Sequence, residues 1–363
     1  MPKRVVLAIG TKKGVFVAEA PTTRRRFALR GPHGPGVAVY STLIDGRGSP
    51  RLYASSCNPY FGMKVLVSKD LGKSFQETKS APAFPKEDGR ALANIWALEA
   101  GDDRRDLWCG VEPASLFRSA DGGDSWEMVQ GISNHEHARK WQPGNGGLCL
   151  HTILRDGKRM HIGISTGGHY VSQDGGSTFR ESNKGIGAAY SPVQFPEFGQ
   201  CVHKIARNEK APGRLYMQNH GGDPNLPGIG VLRSDDHGKS WRQISKGLPS
   251  DFGFPIVVHP HDPDTVYVMP HEGMTRTCPG GAPAVWRSED GGGSWSRLAK
   301  GFPKKESFFT VQRDGMAIDP LPTPALYFGT TTGQLWMGRD GGEQWTCLFD
   351  SLPPIHCVKV GVV

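Results

Sequence analysis

The chain has 363 residues, with 49 Gly, 28 Pro and an apolar share of 37%, a balance that signals frequent tight turns and many short strands around a real core. Its net charge of +8 comes from Lys and Arg interspersed with Asp and Glu, without a run of five or six like charges, so no nucleic-acid partner is expected.

Behind the basic start Met1-Pro2-Lys3-Arg4, the apolar run Val5–Gly10 is too short for a signal-peptide core, and no small-residue cleavage site follows it; it reads as a strand. No window approaches the roughly 18 apolar residues of a membrane span, so no membrane partner is expected. Seven cysteines (Cys57, Cys109, Cys149, Cys201, Cys278, Cys347 and Cys357) include no CxxC pair. They read as buried free thiols of a cytoplasmic, reducing compartment, not as a disulfide framework or a Cys-based zinc site.

In chain order, Val5–Gly10 and Gly14–Val17 come first, as two strands of a sheet that lacks its own inner strand. Apolar strand patterns then start near Val37, Ala93, Leu148, Cys201, Phe254 and Gly315, and a seventh is Ile355–Val360. Each of the first six leads through two further short strands to a turn motif of the form S-x-D-x-G-x-[ST]-[WF]. Five copies are intact: Ser68–Phe75, Ser119–Trp126, Ser172–Phe179, Ser234–Trp241 and Ser288–Trp295. A sixth, Gly338–Trp345, keeps Asp, Gly and Trp but loses both hydroxyl positions. The aspartates Asp70, Asp121, Asp174, Asp236, Asp290 and Asp340 stand 50 to 62 residues apart, the length of one four-stranded blade with its loops. The motif's logic is a hairpin turn: the carboxylate accepts turn amides, Gly supplies a positive φ, and the aromatic ring packs beneath. These aspartates are therefore expected to be structural.

Lettering the strands of each blade A to D from the inside outward, seven A strands predict an all-β, seven-bladed β-propeller. Residues 1–363 read as one propeller domain, its ring closed where the C-terminal strand joins the N-terminal blade and pairs two otherwise exposed edges.

The turn motif resembles the Asp-box, or bacterial neuraminidase repeat, shared by sialidases, sortilin-type propellers, xyloglucan hydrolases and the photosystem II stability factor. Sialidases have six blades, whereas the stability factor and each xyloglucan-hydrolase propeller have seven. The first blade also lacks an Arg-[Ile/Val]-Pro, so typical sialidase activity is not expected. As a whole the chain looks most like bacterial BNR-repeat proteins labelled glycosyl hydrolases, a label that a shared repeat cannot by itself turn into an activity.

In such blades the A–B and C–D turns share one face and the B–C and D–A connections the other. The long connections, Ser133–Gly147, Tyr190–Gln200, Asn219–Gly230 and Pro270–Ala284, all fall opposite the Asp turns, which marks that side as the binding face. Aligned A strands put Tyr40, Trp96, His151, His203, Pro255, Gly315 and His356 at one position near the channel mouth. The B–C loops add Glu112, His169, His220, His271 and Glu272.

His151, His203, His220 and His271 are expected to converge there, with Glu112 and Glu272 beside them, as acid–base groups or as ligands of a divalent metal ion. Tyr40, Trp96, Trp141, His169, Arg313 and His356 are the expected substrate contacts. His135 and His137 share the longest D–A loop with Trp141 and read either as a lid or as solvated loop, while His259 and His261 fall on an A–B turn and read as structural. The reading that follows is a hydrolase or lyase acting on a small polar or saccharide-like ligand, possible metal assistance included. Its alternative is a non-catalytic scaffold with a protein partner, resembling the photosystem II stability factor.

Overall fold

Seven four-stranded antiparallel sheets make up a computed structural model of the chain, which describes residues 3–223 and 225–363. Pro224, inside the expected loop Asn219–Gly230, lies outside the described residues. The A strands are Thr42–Asp45, Asn94–Ala100, Leu150–Asp156, Val202–Arg207, Gly253–Val258, Met316–Ile318 and Ile355–Val362. Numbered in that order, blades 1 to 6 take their four strands consecutively. Blade 7 combines Ile355–Val362 with Arg4–Thr11, Gly14–Pro21 and Ala28–His33.

That last blade closes the ring as the sequence predicts. Ile355–Val362 runs antiparallel to Arg4–Thr11, from Val5 opposite Val362 to Gly10 opposite Cys357. A Cβ at Gly10 would lie 2.5 Å from the Cys357 sulfur and 2.6 Å from the Val39 carbonyl oxygen, so the seam approaches too closely there for any side chain. Between blades, large apolar side chains interlock; Trp108, Leu116, Ile153, Met160 and Tyr170 share one such layer. Burial at about 1.5–3 kcal/mol for each such side chain makes these layers the main source of stability.

The repeated turns show why their residues recur. In the second copy, Ser119 Oγ donates to Asp121 Oδ1 at 2.8 Å, Ser125 Oγ donates to Oδ2 at 2.7 Å, and the Ser125 amide donates to Oδ1 at 2.8 Å. The Gly123 amide in turn donates to Ser119 Oγ at 2.8 Å, with Gly123 at φ 93°. The same pattern is built on Asp70, Asp174, Asp236 and Asp290.

Partial burial raises the Asp121 pKa, but the bonds from Ser125 and Ser119 outweigh it and hold the carboxyl down at about 2. A depressed folded pKa contributes stability above the ordinary carboxylate range and loses it as pH falls through the folded value. Asp121→Ala should therefore cost about 1 kcal/mol at neutral pH, the low end for bonds to a partly solvated charge. The melting curves of variant and parent should converge as the pH approaches 2; a gap of constant size would disprove the ionic origin.

One irregularity recurs and aims the site. The A–B register slips at Trp96, His151, His203, Phe254–Pro255 and His356, so five of the seven A strands begin with a bulge, whereas Thr42–Asp45 and Met316–Ile318 pair without one. A bulge leaves its extra residue unpaired and re-aims that side chain, which is how aromatic rings come to surround the channel mouth. Below the mouth, Lys204 reaches Asp314 at 2.6 Å, and Lys359 lies 3.5 Å from Asp314 and 3.4 Å from Glu99. These pairs tie A strands of blades 2, 4 and 7 to Asp314, just before the A strand of blade 6. Burial raises the Asp314 pKa, yet Lys204 and Lys359 overcome it and hold the carboxyl at about 2.

Candidate functional site

The strand order places all B–C and D–A connections on one face, opposite the Asp turns. On that face a cavity of about 780 Å³ opens over blades 3 to 5. One wall is the D–A loop through Trp141 and Gly144, a second is the D–A loop through Tyr190 and Phe198, and the floor holds His203, His220, Phe252 and Phe254. Arg276 and Arg313 complete the lining.

The loop that reads either as a lid or as solvated chain forms part of the cavity lining, with His137 and Trp141 buried in it. Tyr170 anchors it from below, its hydroxyl taking the Trp141 Nε1 hydrogen at 3.0 Å and meeting His137 Nδ1 at 3.1 Å. His137 is buried and stacks on Phe198 at 4.3 Å.

Two of the four expected histidines come together. His203 and His220 meet edge to face at 5.3 Å, flanked by Phe252 and Phe254. The His220 amide donates to the Cys201 carbonyl at 2.9 Å, which fixes the end of one strand against the start of its neighbour. His203 Nδ1 lies 2.6 Å from the Gly253 carbonyl of the next blade, so that nitrogen carries the hydrogen. Burial and the charge of Arg313 hold the His203 pKa far down; burial, Arg276 and Arg313 lower that of His220.

His151 and His271 do not join them, which corrects the four-histidine arrangement. Buried His151 spends Nε2 on the Val202 carbonyl at 2.8 Å and Nδ1 on Thr152 Oγ1 at 3.1 Å, bridging blades 3 and 4. His271 is fully buried and accepts the Val311 amide at 3.1 Å; burial pushes its pKa down to about 3. Neither ring opens on the cavity.

The two glutamates are also committed elsewhere. Glu112 accepts from Asn94 Nδ2 at 2.9 Å and from Trp96 Nε1 at 2.8 Å, thereby orienting the Trp96 ring. Glu272 shapes its own loop, accepting the Gly280 amide at 3.0 Å and Thr275 Oγ1 at 3.2 Å. Neither is hydrogen-bonded to an imidazole, contrary to the expected acid–base pairing.

Among the expected substrate contacts, Trp141 and Arg313 line the cavity. His169 does not: it is fully buried between blades 3 and 4, with His161 Nδ1 at 3.1 Å and the Ser182 carbonyl at 3.0 Å. Tyr40, Trp96 and His356 form a separate row beside the cavity, with ring spacings of 4.6 and 4.8 Å about Tyr40. Arg313 joins the two groups, its guanidinium 6.0 Å from the Trp96 ring and 5.6 Å from that of Phe254.

Sequence reasoning missed Lys140, Tyr190, Cys201 and Arg276, all of which line the cavity. The alignment already stood next to Cys201, at the start of its strand, but read it as an inert thiol. Nothing in the local pattern singles out Arg276 or Lys140, whose place depends on how long loops fold back. Among the described lining residues there are three cations, Lys140, Arg276 and Arg313, and no Asp or Glu. The site is thus a basic, aromatic-walled cavity able to hold an anionic group, with ring nitrogens and a thiol at its floor.

No family model matches the chain. It is 24% identical over 212 residues to an oligoxyloglucan-reducing end-specific xyloglucanase of Emericella nidulans, covering 52% of this chain and 25% of that protein. It is 25% identical over 288 residues to a xyloglucanase of a Paenibacillus species, covering 74% and 26% respectively. The chain thus spans about a quarter of the length of these curated relatives. Among solved structures, a GH74 xyloglucanase from Xanthomonas campestris superposes with a TM-score of 0.65 at 20% identity, over 98% of this chain and 52% of that one. A structure of YCF48 bound to D1 peptide gives 0.55 at 12% identity, over 86% and 81%. At these identities the structural likeness establishes the seven-bladed fold.

Proposed function

We propose that the loop-face cavity binds a saccharide or saccharide-like molecule bearing an anionic group, and that the chain acts on it as a hydrolase or lyase. The observation that carries this reading is the lining itself: aromatic walls, two guanidiniums, one lysine and no described carboxylate. Aromatic rings suit the apolar faces of sugar rings, and guanidinium forks suit carboxylate or phosphate. The xyloglucanase names of the relatives favour a saccharide. A two-carboxylate glycosidase needs acid groups flanking the scissile bond, and this cavity supplies none from its described lining. That shifts the balance within the reading toward elimination, where neutralising an anionic group next to the reacting carbon is the main requirement.

The test is calorimetric binding of matched neutral and uronate oligosaccharides, followed by incubation with assays for new reducing ends and for the ultraviolet absorbance of a new carbon–carbon double bond. Preference for the uronate series is expected. Equal binding of both series, or binding of neither, would overturn the reading.

A non-catalytic scaffold is the second reading, and one observation favours it. The exposed large apolar side chains Tyr60, Phe61, Tyr190, Val193, Phe195, Met274 and Phe308 all belong to B–C or D–A connections. A face so marked can be covered by a protein partner; absence of any saccharide binding would put this reading first.

A further inference from the structure

We propose that Cys201, His203 and His220 form a binding site for one divalent metal ion of the zinc class, with a coordination position open to the cavity. The inference deepens the proposed function, since it places a cation at the floor of the same cavity, but it stands on its own geometry. The donor atoms of the three side chains lie within 4.8 Å of one another. Tetrahedral zinc with bonds of about 2.3 Å to sulfur and about 2.0–2.1 Å to nitrogen needs donors roughly 3.3–3.8 Å apart, so side-chain adjustments of about 1 Å complete the site.

Three local features favour metal over mere packing. His203 already shows the outer contact typical of a metal-bound imidazole: Nδ1–H points to a backbone carbonyl, here that of Gly253 at 2.6 Å, which leaves Nε2 as the available donor. The His220 ring has no hydrogen-bond partner among the described residues, yet Tyr190, Phe252 and His203 hold it edge to face at 5.7, 5.2 and 5.3 Å. Cys201 is the one cysteine among the described cavity-lining residues. Its carbonyl takes the His220 amide, so the backbone itself keeps thiol and imidazole adjacent.

Three protein ligands of nitrogen and sulfur type with a vacant fourth position have the form of a catalytic zinc site. Such an ion would add a Lewis acid beside Arg313 and Arg276, all three directed at an anionic group, while the thiolate offsets part of their charge. A second cluster, His135, His137 and Glu181, also has its donor atoms within 4.8 Å of one another. It is the weaker candidate, because Glu181 is exposed, His135 Nδ1 accepts the His137 amide at 3.1 Å, and His137 Nδ1 is engaged with Tyr170.

The test uses the full chain, stripped with a chelator and titrated with cobalt(II) alone, followed by zinc competition. One equivalent should bring an intense near-ultraviolet thiolate-to-cobalt band with tetrahedral visible bands, and zinc should erase both. Cys201→Ser should remove the near-ultraviolet band. His220→Ala, which loses no hydrogen bond of the ring, should weaken cobalt binding more than about tenfold while the protein stays folded. The proposal is overturned if the parent shows no thiolate band, or if the band survives in Cys201→Ser. Binding lost in Glu181→Ala but kept in Cys201→Ser and His220→Ala would overturn it in favour of the outer cluster. Because no saccharide enters this titration, its failure leaves the proposed function standing, and absence of saccharide binding leaves the metal site standing.

Discussion

A chain shortened to end at Pro354 should not form a stable ring. The deletion removes the innermost strand of blade 7 together with its whole ladder to Arg4–Thr11. Ile355, Cys357 and Val358 are fully buried in the parent, and Ile355 and Val358 pack against Leu7, Ile9 and Leu335. Two buried aliphatic side chains account for about 3–6 kcal/mol, which is comparable to the total stability of many domains, about 5–15 kcal/mol. The loss also strips Lys359 from Asp314 and Glu99 and bares the edge of Arg4–Thr11, an invitation to association between molecules. Size-exclusion chromatography and thermal melting by circular dichroism should show aggregates or a non-cooperative transition. A monomer that melts as the parent does would show that the seam carries little of the stability.

The ring was legible because its signals repeat. Six turn motifs 50 to 62 residues apart mark the register of six blades, and the unpartnered Val5–Gly10 adds a seventh by calling for a strand from the other end of the chain. Which face bears the long loops also follows from strand direction alone. The site was legible only in part, and the reason is the bulge at the start of five of the A strands. Alignment correctly marks Trp96, His151, His203 and His356 as equivalent, yet equivalence in sequence does not fix where a re-aimed side chain points. His151 turns to the carbonyl of Val202, whereas His203 uses one nitrogen on Gly253 and keeps the other free. In blade 5 the bulge spans two residues, so Phe254 instead of Pro255 meets His203, at 4.8 Å. Loop-borne groups such as Arg276 carry no periodic signal at all, because their positions depend on the folded path of the loop.

Arg313→Ala should reduce affinity for a uronate oligosaccharide by about tenfold to a hundredfold while leaving a neutral analogue nearly unchanged. The guanidinium lines the cavity and lies near the rings of Trp96 and Phe254. Its nearest described side-chain hydrogen bond is a long one, 3.5 Å to Ser165 Oγ, so most of its donors are available to a ligand. A hydrogen bond between charged groups contributes about 1.5–3 kcal/mol, and each 1.4 kcal/mol is a factor of ten in affinity. The cost to folding should be small, on the order of 0.5–1 kcal/mol for the lost contact with the aromatic rings, so melting temperatures provide the control. Arg313→Lys separates charge from shape: it keeps the cation but loses the planar fork, and should fall between parent and alanine variant. Calorimetric titration at low and high salt measures all three proteins, and the gap between them should narrow as ions screen the charge. Uronate affinity unchanged within twofold in Arg313→Ala would remove Arg313 from the anion contact and leave Arg276 and Lys140 as the cations to be replaced next.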